Sequence, residues 1–214
     1  MNFIKSKILP ILKTLFSDKK VRIWIAIFSV PPVLLLVTIF AVYQYYLPEI
    51  PPLSQLENIS PQLVTNIYDK NGEISHEYFV ERREWTPFDS LPEMAKAAII
   101  ATEDRKFYTH WGVNVWAIPK AVMETVFRGK KLRGASTLTQ QLTKLLFLTP
   151  ERSISRKIKE AITAIRIEQT YTKEEILEFY MNEVYLGGGN YGFQAAGKFY
   201  FGKPLDSLSI PEYA

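Results

Sequence analysis

From Ile23 to Leu47 the chain carries no charged side chain, and beyond that run apolar and polar positions alternate at regular spacings. At about 1.5 Å per residue, a helix over the run crosses the roughly 30 Å hydrocarbon core of a bilayer with room for tilt. Residues 23–47 are therefore predicted to form a transmembrane signal-anchor helix, kinked where Pro31-Pro32 removes two amide donors. The run is too long for a cleavable signal peptide, and no small-x-small site follows it. Tyr43, Tyr45 and Tyr46 fall where an interfacial aromatic belt belongs. Upstream, Ile4, Ile8, Ile11, Leu12 and Leu15 recur at helical spacing among lysines, which fits an interfacial amphipathic helix or a plain cytoplasmic tail.

Residues 48–62 hold Pro48, Pro51, Pro52 and Pro61 with little periodicity, the pattern of a stiff linker. Leu63 to Tyr68 and Glu73 to Val80 flank the turn signature Asp69-Lys70-Asn71-Gly72, so a β-hairpin is predicted. The rest of the chain reads as helical. Ser90-Leu91-Pro92-Glu93 is a capping-box pattern, followed by an alanine-rich run that should carry a helix to about Glu103. Thr172-Lys173-Glu174-Glu175 opens a second helix in the same way, and Ser209-Ile210-Pro211-Glu212 announces a third with only two residues after it. A single turn does not hold itself together in water, so the chain is expected to continue beyond residue 214. The predicted organisation is a basic tail (1–22), a membrane anchor (23–47), a linker (48–62) and one mainly α domain with a small N-terminal β-hairpin (63–214).

Composition changes this picture in three ways. The net charge of +4 is concentrated in residues 1–22, where Lys5, Lys7, Lys13, Lys19, Lys20 and Arg22 face only Asp18. That bias places the N-terminus in the cytoplasm and the domain outside, and it argues against nucleic acid as a partner. The chain has no cysteine, which excludes disulfides and thiolate metal sites. Its only histidines are His76 and His110, too few for a protein-built zinc site, so any metal should be oxygen-bound and shared with phosphate groups.

Four segments carry candidate chemistry. Glu103 and Asp104 are adjacent carboxylates at a predicted helix C-terminus, where the macrodipole disfavours a further anion and so suits a general base. A solvated pair salted by Arg105 and Lys106 would give the same residues. After Gly134, the positions Thr137, Gln140, Gln141 and Lys144 share one helix face, opposite Leu138, Leu142 and Leu145. Hydroxyls and amides on such a face suit sugar hydroxyls, acetamido groups or phosphate oxygens, and Ser136 could cap the helix or contact a ligand; an ordinary solvated face is the alternative. Arg152, Arg156, Lys159, Glu160 and Thr163 share a face opposite Ile154, Ile158, Ala161, Ile162 and Ile165. Its cations could neutralise a leaving pyrophosphate, although charge runs are commonly solvated surface. Gly187-Gly188-Gly189-Asn190 lacks the spacing of a nucleotide fingerprint and reads as a loop, after which Gly192, Ala195 and Ala196 allow close packing and Gly202 ends a helix.

Taken in order, these segments resemble the five signatures of the family 51 peptidoglycan glycosyltransferases. They are Glu103-Asp104-x-x-Phe107-x-x-His110-x-Gly112, Gly134-x-Ser136-Thr137-Leu138-Thr139-Gln140-Gln141, Arg156-Lys157-x-x-Glu160, Ile176-Leu177-x-x-Tyr180-Met181-Asn182 and Gly192-x-x-Ala195-Ala196-x-x-x-Tyr200-Phe201-Gly202. Leu138 and Met181 stand where Ile and Leu are more usual in the family. The hairpin-bearing region before Glu103 is more like the bifunctional class A penicillin-binding proteins than the short monofunctional enzymes. The one S-x-x-K, Ser17-Asp18-Lys19-Lys20, has no K-T-G partner, so acylation by penicillin is not expected of these residues.

The resemblance implies a lysozyme-like, mainly α glycosyltransferase domain on the outer face of the cytoplasmic membrane. Such a domain polymerises lipid II into glycan strands with inversion and release of undecaprenyl pyrophosphate. It implies Glu103 as general base, Asp104 as its support or a metal contact, and Glu160 as a second important carboxylate. Lys144, Arg152 and Lys159 would hold the pyrophosphate, while Phe107, His110, Gly134, Ser136, Thr137, Gln140, Gln141, Arg156 and Asn182 would complete the substrate site. The stretch Phe127 to Leu132 would belong to a membrane-dipping segment. Mg or Mn could accompany the pyrophosphate, and the implied partners are lipid II, the growing lipid-linked glycan, membrane lipid and other cell-wall synthesis proteins. Rival readings are a muramidase or lytic transglycosylase of similar fold, and a catalytically silent membrane-anchored scaffold.

Overall fold

The computed structural model describes residues 18–50, 52–53, 65–78, 82–117, 136–148 and 153–213. The proposed amphipathic tail, most of the linker, the 127–132 stretch, Gly134 and Arg152 lie outside the described residues. The chain divides into two units, Met1–Glu49 and Ile50–Ala214.

In the first unit, helix α1 spans Lys19–Tyr46, with Asp18 accepting from the Lys20 amide at its start. Its 28 residues are long and apolar enough to cross a membrane, and none is buried against protein. Leu34, Leu36 and Phe40 are all more than 60% exposed, a surface that water would penalise and hydrocarbon would not. The helix runs through Pro31 and Pro32, which leaves the carbonyls of Ile27 and Phe28 without their usual amide donors. The hydroxyls of Ser29 and Thr38 donate back to Ile25 and Leu34, so neither is left open to lipid.

The second unit opens with the predicted hairpin, β1 (Thr65–Tyr68) antiparallel to β2 (Ile74–Tyr78). Asp69 makes its turn by accepting from the amides of Asn71 (2.8 Å) and Glu73 (2.9 Å). These bonds, that from Glu73 foremost, hold its carboxyl below the usual range. A two-residue strand β3 (Arg82–Arg83) follows and pairs in parallel with β4 (Asn190–Tyr191).

Helix α2 covers Glu93–Glu103, as the sequence predicts, but the Ser90–Glu93 capping box does not form. Pro92 is the N-cap and makes no side-chain bond, and Ser90 sits in a 3-10 turn. Glu93 instead pairs with Lys96, whose ammonium lies 4.1 Å from the centre of the Phe88 ring. The Ser90 amide that a capping box would use donates instead to the Pro87 carbonyl at 2.9 Å.

Helix α3 (Leu138–Phe147) starts at a full capping box between Thr137 and Gln140. Leu138 and Leu142 are fully buried, whereas Leu145, expected on the same face, is 40% exposed. Helix α4 (Ile154–Thr170) departs further from its predicted faces. Glu160 and Thr163 lie on the buried stripe with Ala164 and Ile167, while Ile154 is 82% exposed. Glu160 tolerates burial because Arg156 and Lys157 both bind its carboxylate.

Helix α5 (Lys173–Glu183) forms its predicted Thr172–Glu175 capping box and supplies Ile176, Leu177, Tyr180 and Met181 to the core. Helix α6 (Phe193–Phe201) begins at Gly192 and ends at Gly202 in the left-handed conformation. A Cβ on Gly192 would sit 2.7 Å from the Asn182 carbonyl, so the approach of α6 to α5 requires glycine there. The final turn α7 (Ile210–Tyr213) packs on α2, and the Tyr213 hydroxyl donates to the Leu205 carbonyl (2.7 Å). That packing supplies what an isolated turn lacks.

At this turn Glu212 accepts from the Ser209 amide (2.6 Å), the Ser209 hydroxyl (2.8 Å) and Lys203 (3.0 Å). The Ser209 amide bond is the main reason its carboxyl is pushed down to about 2 from an ordinary 4.5. A depressed carboxyl stabilises the fold above its ordinary value and loses that contribution as pH falls toward its folded value. Protection of the α7 amides, measured as exchange relative to the intrinsic rate at each pH, should therefore fall between about pH 4.5 and pH 2, and Glu212→Gln should remove the dependence.

Candidate active site

Glu103 is the last residue of α2 and Asp104 is its C-cap, at φ −154° and ψ 81°. That departure from helical angles turns the two neighbouring carboxylates apart. Glu103 is exposed and lines a cleft of about 350 Å³, while Asp104 is 7% exposed and points into the protein.

Thr102, Glu103, Ser136, Gln140, Gln141, Lys144, Arg156, Lys157 and Glu160 line the cleft. The Gln141 side-chain amide donates to Glu103 Oε2 at 2.9 Å. Arg156 binds Glu160 Oε2 at 2.9 Å, and Lys157 binds both Glu160 and the Ser136 hydroxyl, the latter at 2.7 Å. Three cations thus meet two carboxylates, and one of those carboxylates is already neutralised in the wall. The buried Arg156 Nε has no hydrogen-bond partner, although a guanidinium offers donors in a planar fork suited to phosphate oxygens.

The structure gathers seven of the expected site residues at this cleft: Glu103, Ser136, Gln140, Gln141, Lys144, Arg156 and Glu160. It adds Thr102 and Lys157. Lys157 was legible in its i, i+3 spacing to Glu160, which a face counted from Arg152 passes over. Lys159 is not among the residues that line the cleft.

Five other expected residues have structural work instead. Phe107 is fully buried in the core. Asn182 accepts from the Thr86 amide (2.7 Å) and donates to the carbonyls of Thr86 and Glu178, which consumes its amide. Thr137, not Ser136, caps α3, and its hydroxyl donates to the Gly112 carbonyl at 2.6 Å. His110 Nδ1 accepts from the Gly112 amide (3.1 Å), which puts the ring proton on Nε2, 2.7 Å from Asp104 Oδ2. Asp104 Oδ2 also accepts from the Leu138 amide at 3.0 Å, and Oδ1 from the Lys106 amide at 3.3 Å.

Asp104 therefore ties the end of α2 to the start of α3 through its own carboxylate. Its oxygens are occupied by protein donors, a poor fit to the metal contact expected of it. Among the described residues no group of three or more His, Asp or Glu side chains could hold a metal ion.

Gly112 completes this bracket at φ +104°, where an added Cβ would lie 2.7 Å from the Ala164 carbonyl oxygen of α4. Gly112→Ala combines an unfavourable backbone conformation with a backbone clash, and is expected to cost about 3 kcal/mol or more. A thermal melt followed by circular dichroism measures it.

The cleft and its bracket coincide with a stretch shared with known proteins. A family model described as Transglycosylase matches residues 71–214. The chain is 44% identical over 167 residues to penicillin-binding protein 1A of Neisseria flavescens, covering 78% of this chain and 21% of that protein. It is 44% identical over 177 residues to penicillin-binding protein 1A of Escherichia coli K12, covering 83% and 21%. The Neisseria lactamica protein of the same name is 40% identical over 181 residues, covering 85% and 22%. The chain thus spans about a fifth of the length of these relatives. A match over most of the chain that takes in every cleft residue settles its kinship: the chain belongs to the transglycosylase family.

Proposed function

We propose that the second unit is a peptidoglycan glycosyltransferase that polymerises lipid II. One observation carries this reading: an exposed carboxylate, Glu103, shares a cleft with Lys144, Arg156 and Lys157. Glu103 takes the proton of the acceptor 4-hydroxyl, and that oxygen bonds to the donor anomeric carbon from the face opposite the pyrophosphate. The anomeric C–O bond breaks with inversion, and undecaprenyl pyrophosphate leaves with the electron pair. Lys144, Arg156 and Lys157 receive the developing negative charge. Glu160 holds Arg156 and Lys157 in place for this, and Ser136 and Gln140 face the sugars.

A divalent cation, Mg or Mn, enters this proposal only as a companion of the substrate pyrophosphate, and no step depends on it. The basic flank before α1 supports a cytoplasmic N-terminus and an extracytoplasmic second unit. Membrane lipid, the growing glycan and other cell-wall synthesis proteins are the partners this reading implies. Hydrolysis of a neutral glycoside has no pyrophosphate to neutralise, so a muramidase would not need these cations.

The test is incubation of the membrane-anchored chain with labelled lipid II and a divalent cation. Polymer is the expected product. Digestion of finished glycan, or no change in lipid II, would overturn the reading.

A further inference from the structure

Gln141 uses both ends of its amide: Nε2 donates to Glu103, and Oε1 lies 3.3 Å from the hydroxyl of Tyr180. A phenol can donate here and a carboxylate can only accept, so the two partners specify the same orientation of the amide. Tyr180 comes from α5, which packs on α3, and it is 5% exposed. It is not among the residues that line the cleft. Burial first, and the charge of Glu103 second, push its hydroxyl well above the ordinary value of 10. The hydroxyl therefore keeps its proton, and remains a donor, throughout the range in which a carboxylate base works.

We infer that Tyr180 is a positioning residue for Glu103, acting through Gln141. The role has content because of what happens to Glu103 during a turnover. While Glu103 is ionised, it repels the amide oxygen and can hold Gln141 in the observed orientation alone. Once Glu103 has taken a proton, a freely turning amide could swing its oxygen round to accept that proton, which would trap the base in its spent form. The Tyr180 hydroxyl opposes that turn, because it would then face an amide NH₂ instead of the oxygen it donates to. The chain Tyr180–Gln141–Glu103 thus keeps the carboxylate aimed at the cleft in both protonation states.

This inference rests on the glycosyltransferase reading, so the test separates the two. Tyr180→Phe, which keeps the ring and removes only the hydroxyl, is compared with wild type, Gln141→Leu, the double variant and Glu103→Gln in lipid II polymerisation. Tyr180→Phe should lower kcat about tenfold with KM for lipid II within about twofold. The double variant should be no worse than Gln141→Leu alone, since removing the amide removes what Tyr180 acts on. A Tyr180→Phe chain as active as wild type, or additive losses in the double variant, overturns the inference while an inactive Glu103→Gln leaves the glycosyltransferase reading standing. A wild type that makes no polymer overturns both. If Tyr180→Phe does not fold, a polyfluorinated tyrosine at 180 retains the ring and lowers the pKa of its hydroxyl. Activity should then be lost at lower alkaline pH than in wild type, and an unmoved alkaline limb overturns the inference.

Discussion

Glu103→Gln is expected to reduce lipid II polymerisation by about 10²- to 10⁴-fold while leaving the melting temperature unchanged. The size follows from what a positioned general base contributes to a proton transfer. The unchanged stability follows from the surroundings of the residue. Glu103 is exposed at the end of α2, and among the described residues its side chain accepts a hydrogen bond from Gln141. A glutamine at this position offers its own carbonyl to the same donor, so the geometry survives and only the capacity to take a proton is lost. The readout is radiolabelled or fluorescent lipid II converted to polymer, with a thermal melt of the same preparation alongside. Retained polymerisation at the wild-type rate would remove Glu103 from the mechanism and leave the cationic wall without a base.

The long apolar helix, the hairpin and the sequence of helices were legible because each rests on a local signal. An uncharged run, a turn held by Asp69 and the capping box at Thr172 need no knowledge of distant residues. The same capping pattern failed at Ser90, whose amide donates to the Pro87 carbonyl in a 3-10 turn while the helix starts only after Pro92. Helix α4 was misassigned for another reason. Periodicity sorts residues by polarity, and Glu160 is polar by itself but not when Arg156 and Lys157 neutralise it, so the stripe of Glu160 and Thr163 turns inward. Strands β3 and β4 are two residues each, too short for any period, and they pair between segments that are distant in sequence.

The candidate site was half legible for a more specific reason. The motif Glu103-Asp104-x-x-Phe107-x-x-His110 reads as one cluster along the chain, yet the backbone leaves the helix between its first two residues. Glu103 remains on the outer surface, and Asp104, Phe107 and His110 go inside. Spacing alone does not reveal on which side of a helix end a carboxylate falls. Residues that contact substrate and residues that hold the contacting ones in place are therefore mixed within one motif.

Asp104 offers the sharpest way to separate those two roles. Its Oδ2 accepts from His110 Nε2 and from the Leu138 amide at the N-terminus of α3, where a negative charge is also favoured by the helix dipole. Asp104→Ala should strand both donors in a buried site and cost about 3 kcal/mol. For a protein of this size that is a fall of roughly 6–12 °C in melting temperature. Asp104→Asn should be much milder, losing about 1 kcal/mol. The asparagine carbonyl can occupy the Oδ2 position and keep both bonds, at the expense of only the long contact to the Lys106 amide. A metal ligand would behave differently, because exchanging a carboxylate for an amide weakens cation binding whether or not the fold survives. Polymerisation by Asp104→Asn at a temperature where it is folded should stay within about tenfold of wild type and show the same dependence on divalent cation concentration. An Asp104→Asn variant that is stable, inactive and rescued by excess cation would instead return this carboxylate to the metal.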